Sequence, residues 1–475
     1  MLKKIGLLLG PVFFLLVYNS PFQIMGPEAD RVLSVALWMV VWWITEAVSI
    51  SVTALIPLVL FPMLGIMDMK AVSQNYGSPI VFLFFGGFVM ALALEKVGLH
   101  RRIALNIVKM TGTSPNKMIL GLMIATAFLS MWISNTATTV VMLPIGLSMV
   151  NMLKEQHQTQ TKGYKNFALS TMLAIAYAAN VGGISTIIGT PPNSVIVGFM
   201  AQEYQMDISF LKWMLLGVPF TCLMIAAIYF LLIKVIYPNK LSVQADSTLE
   251  IQEELSKLGA MGRAEKQVAI VFVMAILLWI TRIYIADWLP GITLTDTGIS
   301  MLAAFVLFAV PLSFGSGTFV LHWKDTRELP WGILILFGGG LALATGLSQA
   351  GIIDSIGSAI AENDQLSVFL VGVLLITVML FITELMSNVA LVAIFAPVVA
   401  GIALGLDQEI LHLLIPVAMA SSCAFMLPMA TPPNAVVFAS GHIKISEMVR
   451  AGIVLNTVSI IVLIAFMYWI IPAIF

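Results

Sequence analysis

The chain has 475 residues, of which 60% are hydrophobic and 10% charged, with a net charge of −1. Soluble domains carry about 25% charged residues, so this balance excludes a soluble enzyme. A mean hydropathy of +1.02 and repeated long apolar runs predict an all-α integral membrane protein with many crossings. The chain has no dense cluster of Lys and Arg, which excludes a partner such as nucleic acid.

Apolar segments can be placed in chain order, beginning with a run after Lys3 and Lys4 that we interpret as a retained N-terminal transmembrane helix within residues 1–29. Eleven segments suit one crossing each: 5–24, 31–48, 50–65, 79–96, 167–200, 211–236, 267–286, 296–313, 331–350, 411–440 and 451–474. Two longer segments, 118–151 and 366–405, are interrupted midway by Ser134-Asn135-Thr136 and by Ser387-Asn388. We interpret these two as re-entrant hairpins, which gives about 11 transmembrane helices plus two hairpins.

The positive charges support this arrangement. With a cytoplasmic N-terminus, 19 of the 23 Lys and Arg residues lie on the cytoplasmic side, and only Arg31, Lys70, Lys212 and Arg282 lie outside. This distribution satisfies the positive-inside rule. It predicts that hairpin 118–151 enters from the cytoplasm, that hairpin 366–405 enters from outside, and that the C-terminus lies outside.

Several short motifs occur twice, at offsets of 252, 253, 253 and 241 residues. They are Phe85-Gly86-Gly87 with Phe337-Gly338-Gly339, Ser134-Asn135 with Ser387-Asn388, Pro144 with Pro397, and Thr190-Pro191-Pro192-Asn193 with Thr431-Pro432-Pro433-Asn434. Five crossings separate the equivalent spans, so the halves have opposite orientations. The sequence predicts two inverted-topology repeats, 30–237 and 267–475, as in secondary transporters. Residues 238–266, with Glu250, Glu253 and Glu254, are predicted to form a cytoplasmic linker helix.

The repeated polar motifs predict where helices stop and restart, because Pro lacks a backbone donor and Ser, Thr and Asn are preferred N-caps. Irregular backbone at that depth survives where it lines a cavity or is buried in protein. Restarted helices direct amides and the positive end of their dipole at an anion, while hydroxyls, side-chain amide oxygens and freed carbonyls suit Na⁺. We interpret the paired glycines as helix-packing positions. Glu384 could be either a proton site or a structural hydrogen-bond partner.

No Lys or Arg lies near either interruption in the sequence. A bound dianion would therefore be held by amides, hydroxyls and co-bound cations. Moving two negative charges into a cell at −100 mV costs about 4.6 kcal/mol, since each charge costs about 2.3 kcal/mol. Two Na⁺ cancel that cost and three make transport electrogenic, so sodium coupling is energetically favoured.

The chain resembles the divalent anion sodium symporter family, which carries di- and tricarboxylates or sulfate. The family signature is matched at Ser421-Ser422, Phe425, Pro428-Met429-Ala430, Asn434, Val436 and Val437, and the similarity covers nearly the whole chain. The resemblance implies one Na⁺ site at Ser130, Ser134, Asn135 and Gly189, and a second at Thr383, Met386, Asn388 and Ala430. It implies a substrate site at Ser134, Asn135, Thr136, Thr190, Pro191, Ser387, Asn388, Val389, Thr431 and Pro432. Some relatives have Thr at the position of Val389, which bears on substrate preference.

The resemblance also implies an elevator-type member of the ion-transporter superfamily that works as a homodimer in a plasma membrane, here a bacterial inner membrane. We expect Na⁺-coupled symport of C4-dicarboxylates such as succinate, malate and fumarate, with Na⁺ as the co-transported ion and no organic cofactor. The alternatives are a Na⁺-independent dicarboxylate or tricarboxylate exchanger and a sulfate symporter. An intramembrane enzyme is disfavoured, because all five histidines lie in loops or near span ends.

Overall fold

The computed structural model describes residues 2–20, 25–112, 114–156, 161–239, 241, 255–288, 291, 293–313, 317–362 and 367–475. The described chain is mostly helical. By length and composition, seven of its helices can cross a membrane: Met69–Lys96, Asn135–Leu153, Phe210–Ile236, Arg263–Arg282, Trp331–Gln349, Asn388–Gly405 and Ile445–Ile474. The prediction of a helical membrane protein is confirmed at this level.

Most of the helices overlap the predicted segments. The first half of the chain has α1 Leu2–Tyr18, α2 Pro27–Thr45, α3 Ile50–Thr53, α4 Ile56–Met63, α5 Met69–Tyr76, α6 Pro79–Lys96, α7 Leu99–Thr111, α8 Pro115–Ser130, α9 Asn135–Gln156, α10 Lys162–Gly183, α11 Pro191–Glu203 and α12 Phe210–Phe230, which continues as a π-helix over Leu231–Ile236.

The second half has α13 Arg263–Trp288, α14 Asp296–Ala309, α15 Trp331–Gln349, α16 Ile352–Ala361, α17 Val368–Ile382, α18 Asn388–Gly405, α19 Ile410–Ser421, α20 Pro432–Phe438, α21 Ile445–Ala465 and α22 Ile471–Ile474, with a π-helix over Phe466–Ile470 between the last two. A 3-10 helix covers Trp323–Glu328, and strands β1 Pro311–Ser313 and β2 Thr318–Phe319 pair antiparallel.

Both long segments are interrupted where the sequence predicts. Helix α8 ends at Ser130 and α9 begins at Asn135, while α17 ends at Ile382 and α18 begins at Asn388. The two Thr-Pro-Pro-Asn motifs also restart helices, since α11 and α20 each begin at the first proline. Proline suits the first helical position, because its fixed φ is helical and its missing amide would be unpaired there.

The structure differs from the sequence prediction at three places. The span 296–313 ends early, because α14 stops at Ala309 and the chain turns into β1. Helices α7 and α16 are amphipathic and were not predicted from mean hydropathy, which misses a helix with one buried face. Helix α13 begins inside the predicted linker 238–266, and Glu250, Glu253 and Glu254 lie outside the described residues.

The paired glycines pack helices closely, as predicted. A Cβ on Gly86 would lie 2.6 Å from the carbonyl of Ser300, and one on Gly338 or Gly339 would overlap Tyr76 or Ala54. Helix α10 occupies the centre of the molecule, with every residue from Phe167 to Gly183 buried. The breaks before α9 and before α11 both border this buried part of α10.

Candidate functional site

Three oxygen atoms meet where α8 ends. The Ser130 hydroxyl lies 2.6 Å from Asn135 Oδ1 and 2.8 Å from the Ala179 carbonyl oxygen. Ser130 is completely buried. A hydroxyl carries one proton and can donate it to only one of these two oxygens at a time, whereas a cation among the three would satisfy all of them. We call Ser130, Asn135 and Ala179 the first oxygen cluster.

The same arrangement occurs where α17 ends. The Thr383 hydroxyl lies 2.7 Å from Asn388 Oδ1 and 2.6 Å from the Ser421 carbonyl oxygen, and Thr383 is also completely buried. Thr383, Asn388 and Ser421 form the second oxygen cluster. The structure thus brings Ser130 to Asn135 and Thr383 to Asn388, residues that the family resemblance groups together. It adds two carbonyls, of Ala179 and Ser421, that the sequence does not mark.

The carbonyl of Gly189, which the family resemblance places in the first Na⁺ site, approaches the first oxygen cluster beside Gly183. A Cβ on Gly183 would lie 2.5 Å from Asn135 Oδ1 and 3.1 Å from the Gly189 carbonyl oxygen. Only glycine fits between them without displacement of Asn135. Of the matching residues in the second half, Ala430 is buried beside Thr431, and Met386 lies in the break between α17 and α18.

The asparagines of the Thr-Pro-Pro-Asn motifs hold the broken backbone together. Asn193 Nδ2 donates to the carbonyls of Gly183, Ile184 and Thr186 at 3.2, 3.3 and 2.8 Å. Asn434 Nδ2 donates to the carbonyls that precede its own helix in the same way, at residues 424 and 427 and distances of 3.1 and 3.0 Å. Carbonyls freed where a helix ends need such partners when they are buried.

The threonines of these motifs are turned inward. Thr431 Oγ1 accepts from the Asn434 amide at 3.4 Å and from Asn180 Nδ2 at 3.1 Å. Thr190 occupies the equivalent N-cap position without a side-chain hydrogen bond to the helix. Both threonines are buried, so the exposed part of the second motif is Pro432, while Pro191 is half-buried in the first.

The two helix starts present the predicted substrate residues. Ser134 is exposed, and five neighbours at the two starts are half-buried, namely Asn135, Thr136, Ser387, Asn388 and Val389. The Ser134 Oγ accepts from the Ala137 amide at 3.3 Å. Helices α9 and α18 begin at Asn135 and Asn388, so each directs its first amides toward these accessible residues, an arrangement that favours a bound carboxylate.

Glu384 lies beside the second oxygen cluster and is buried. Its carboxylate accepts hydrogen bonds from the backbone amides of Phe425, Met426 and Leu427 and from Asn456 Nδ2. These contacts favour the structural interpretation over a proton site, because every partner donates to the carboxylate. Sequence alone could not identify the partners, since three of them are main-chain groups.

Other charged groups lie apart from the two oxygen clusters. The ion pairs reported among the described residues, such as Lys96–Asp325 at 2.6 Å and Arg102–Glu265 at 2.9 Å, involve no residue of either cluster. Asp325 lies in the 3-10 helix outside the spans. Burial acts to raise the pKa of Asp325, but the hydrogen bond from the His322 amide and the positive charge of Lys96 outweigh it, so the pKa lies below its usual value. In the described part of the chain, no group of three His, Cys, Asp or Glu side chains could hold a metal.

A cavity of about 1150 Å³ is lined by residues of α5, α6, α11, α14 and α15. It extends to Ile187, in the break before α11. On its walls Gln202 of α11 donates to Thr345 Oγ1 at 2.7 Å and also bonds Asn75. Helix α11, which follows the first Thr-Pro-Pro-Asn motif, is therefore joined to α5 and α15 by hydrogen bonds at the edge of this cavity.

Residues 3–475 match the family model described as the sodium:sulfate symporter transmembrane region. The sodium-dependent dicarboxylate transporter SdcS of Staphylococcus saprophyticus is 37% identical over 476 residues, covering 99% of this chain and 92% of that protein. SdcS of Staphylococcus aureus is 39% identical over 477 residues, covering 99% and 91%.

Two solved structures share the fold at low identity. MtrF of Neisseria gonorrhoeae, described as illuminating a class of antimetabolite efflux pumps, has a TM-score of 0.59 and 14% identity, with 84% of this chain and 83% of that chain covered. The YdaH transporter of Alcanivorax borkumensis has a TM-score of 0.57 and 10% identity, with 83% and 86% covered.

Proposed function

Since this chain belongs to the divalent anion sodium symporter family, we propose that it is a secondary active transporter that imports C4-dicarboxylates such as succinate, malate and fumarate together with Na⁺. The family is one of transporters, not enzymes. The observation that carries the proposal is the pair of oxygen clusters, in which one buried hydroxyl faces two acceptor oxygens at 2.6 to 2.8 Å in each half.

In this proposal each oxygen cluster binds a Na⁺. Gly189 completes the first site and Met386 and Ala430 complete the second, while Ser134 contributes to the first site and to the substrate site. Neutral hydroxyl, amide and carbonyl oxygens suit a monovalent ion, because they stabilise it without a permanent negative charge in the site. Two Na⁺ then offset the charge of one dicarboxylate.

The substrate carboxylates lie between the starts of α9 and α18. Ser134, Asn135 and Thr136 contact one end, and Ser387, Asn388 and Val389 the other. Of the Thr-Pro-Pro-Asn residues, Pro191 and Pro432 are accessible, while Thr190 acts through its backbone and Thr431 through helix capping. Amides at two helix starts can hold two carboxylates without an arginine.

Matching contacts in the two halves support inverted repeats. Ser130 and Asn135 correspond to Thr383 and Asn388 at an offset of 253 residues. The carbonyl acceptors of Asn193 and of Asn434 correspond at an offset of 241 residues. We propose eleven crossings with re-entrant hairpins at 118–151 and 366–405, repeats at 30–237 and 267–475, and the linker 238–266 in the cytoplasm.

The transport step in this proposal is an elevator movement in a homodimer. The cavity beside α11 provides space between a moving unit, built from the hairpins and the Thr-Pro-Pro-Asn helices, and the remaining helices. The Lys and Arg distribution supports a cytoplasmic N-terminus and an external C-terminus, and the relatives from bacteria support a plasma-membrane location.

Radiolabelled succinate uptake into proteoliposomes tests the proposal. Uptake with an inward Na⁺ gradient is compared with uptake in choline, with the lumen either empty or preloaded with succinate. We expect uptake that requires Na⁺ and does not require preloading, and competition by malate and fumarate. Uptake that requires preloading and ignores Na⁺ would establish the exchanger, and Na⁺-dependent uptake of radiolabelled sulfate without uptake of succinate would establish the sulfate symporter.

A further inference from the structure

The two oxygen clusters differ in the residue that follows the hydroxyl. Thr383 is followed by Glu384, whereas Ser130 is followed by Met131 at the corresponding position. Glu384 is only 3% exposed. A buried acid therefore accompanies one cluster and a thioether the other.

The hydrogen-bond pattern around Glu384 is the one that suits an ionised carboxylate. Oε1 accepts from the amides of Phe425 at 2.8 Å and Met426 at 2.9 Å, and from Asn456 Nδ2 at 3.0 Å. Oε2 accepts from the amides of Met426 and Leu427, both at 3.1 Å. Both oxygens only accept, which is the chemistry of a carboxylate, because a protonated acid would bring a donor with no acceptor.

These amides belong to the segment that joins α19 to α20. That segment starts next to Ser421, whose carbonyl oxygen lies 2.6 Å from the Thr383 hydroxyl, and ends at Ala430 and Thr431. Thr383 and Glu384 therefore hold the same segment through adjacent side chains. Asn456, completely buried on α21, donates to the same carboxylate from a third helix.

The corresponding segment of the first half is held by neutral groups. The amides of Ile184 and Ser185 donate to carbonyls three residues earlier, both at 3.1 Å. The Thr186 hydroxyl donates to the Met131 carbonyl at 2.5 Å. Among the described residues, no carboxylate bonds to Ile184, Ser185 or Thr186. The segment beside the first cluster is therefore held by neutral hydrogen bonds alone, whereas the segment beside the second cluster is also held by the carboxylate of Glu384.

We infer that Glu384, held by Asn456, is a positioning residue that places a fixed negative charge beside the second oxygen cluster, so that this cluster binds Na⁺ more tightly than the first and fills first. The inference rests on the proposed sodium coupling. In a protein interior with an effective dielectric constant of about 20, a unit charge about 10 Å away changes the affinity for a cation by about tenfold or more.

The test measures Na⁺-dependent thermal stabilisation of the purified full-length chain in detergent, titrated with NaCl against choline chloride. A ligand that binds the folded state raises Tm by an amount that grows with the logarithm of its concentration divided by its Kd. We expect Glu384→Gln to raise by about tenfold the Na⁺ concentration that is needed for a given increase in Tm. Glu384→Asp keeps the charge and should lie closer to the wild type than Glu384→Gln does.

Asp296→Asn is the control. Asp296 is another buried carboxylate; it accepts from the Phe210 amide at 2.8 Å, pairs with Arg282 at 2.9 Å and lies outside both clusters. Asp296→Asn should lower Tm and leave the Na⁺ dependence unchanged. Asn456→Leu keeps the carboxylate and should weaken Na⁺ binding less than Glu384→Gln, which provides a second variant if Glu384→Gln does not fold.

The order of filling is tested with one hydroxyl from each cluster. Stabilisation at low Na⁺ should be lost in Thr383→Ala and retained in Ser130→Ala. Equal losses in these two variants, or a wild-type Na⁺ titration in Glu384→Gln, would overturn the inference while the proposed function stands. A wild-type protein that shows neither Na⁺-dependent stabilisation nor Na⁺-dependent uptake would overturn both.

Discussion

The break before α11 and the break before α20 free the same kind of carbonyl but are stabilised by different chemistry. In the first break Asn193 and the Thr186 hydroxyl provide neutral contacts. In the second, Asn434 provides the neutral contacts and Glu384 adds a carboxylate that binds three amides. A broken helix in a membrane protein can thus be stabilised without charge, so the acid in the second half is an addition with its own electrostatic consequence.

The largest expected effect tests what the two halves share. Asn135→Ala and Asn388→Ala each remove one oxygen from a cluster and should lower Na⁺-driven succinate uptake about ten- to hundredfold, since a lost contact to a charged group costs about 1.5–3 kcal/mol. Uptake rates in proteoliposomes are compared at equal protein. Asn106→Ala, on the exposed face of α7, is the control. Near-normal uptake in either cluster variant would remove that asparagine from the site.

Gly183→Ala tests the close packing that is specific to the first half. The new methyl group would lie 2.5 Å from Asn135 Oδ1, and overpacking of this kind costs about 1–3 kcal/mol. We expect the variant to fold but to bind Na⁺ less tightly, so that half-maximal uptake requires a higher Na⁺ concentration. Gly77→Ala adds the same group where the nearest atom is 3.9 Å away and should have no effect. A Gly183→Ala titration that overlays the Gly77→Ala titration would contradict the geometry.

Replacing Asn193 and Asn434 in turn compares how much each asparagine stabilises the break before its own helix. Asn193→Leu leaves three carbonyls without this partner and Asn434→Leu leaves two, and each orphaned buried group costs about 1–3 kcal/mol. Both variants should have a lower Tm than the wild type. The decrease should be greater in Asn193→Leu, because in Asn434→Leu the carboxylate of Glu384 still holds the segment between α19 and α20. Thermal unfolding in detergent measures this difference. The reverse order would mean that Glu384 contributes little to the stability of its break.

The smallest expected effect concerns the pair Thr136 and Val389, which occupy equivalent positions at the two helix starts. Val389→Thr adds a hydroxyl worth about 1 kcal/mol when it binds a carboxylate. The relative inhibition of succinate uptake by di- and tricarboxylates should change about fivefold. Val392→Thr, at a buried position further along α18, controls for the added hydroxyl. An unchanged ranking in Val389→Thr would show that position 389 does not face the substrate.

The helix breaks were predictable because proline and asparagine carry their own local signal. The grouping of Ser130 with Asn135 and of Thr383 with Asn388 came from the family resemblance, and the 253-residue offset between the two halves agreed with it. The carbonyls of Ala179 and Ser421 were not predictable, since any residue can supply a carbonyl and only the fold brings one to the hydroxyl. The amide partners of Glu384 were hidden for the same reason. The turn into β1 was missed because mean hydropathy does not distinguish an apolar strand from the end of a helix.

The position of Asn180 limits how freely the two halves can vary. This α10 side chain donates to the Ala424 carbonyl at 3.1 Å, to Thr431 Oγ1 at 3.1 Å and to Asn434 Oδ1 at 3.3 Å, all in the other half. The halves are therefore not interchangeable modules. A chimera that takes residues 267–475 from a relative must bring acceptors that fit Asn180, and a substitution at position 180 requires a matching change about 250 residues away.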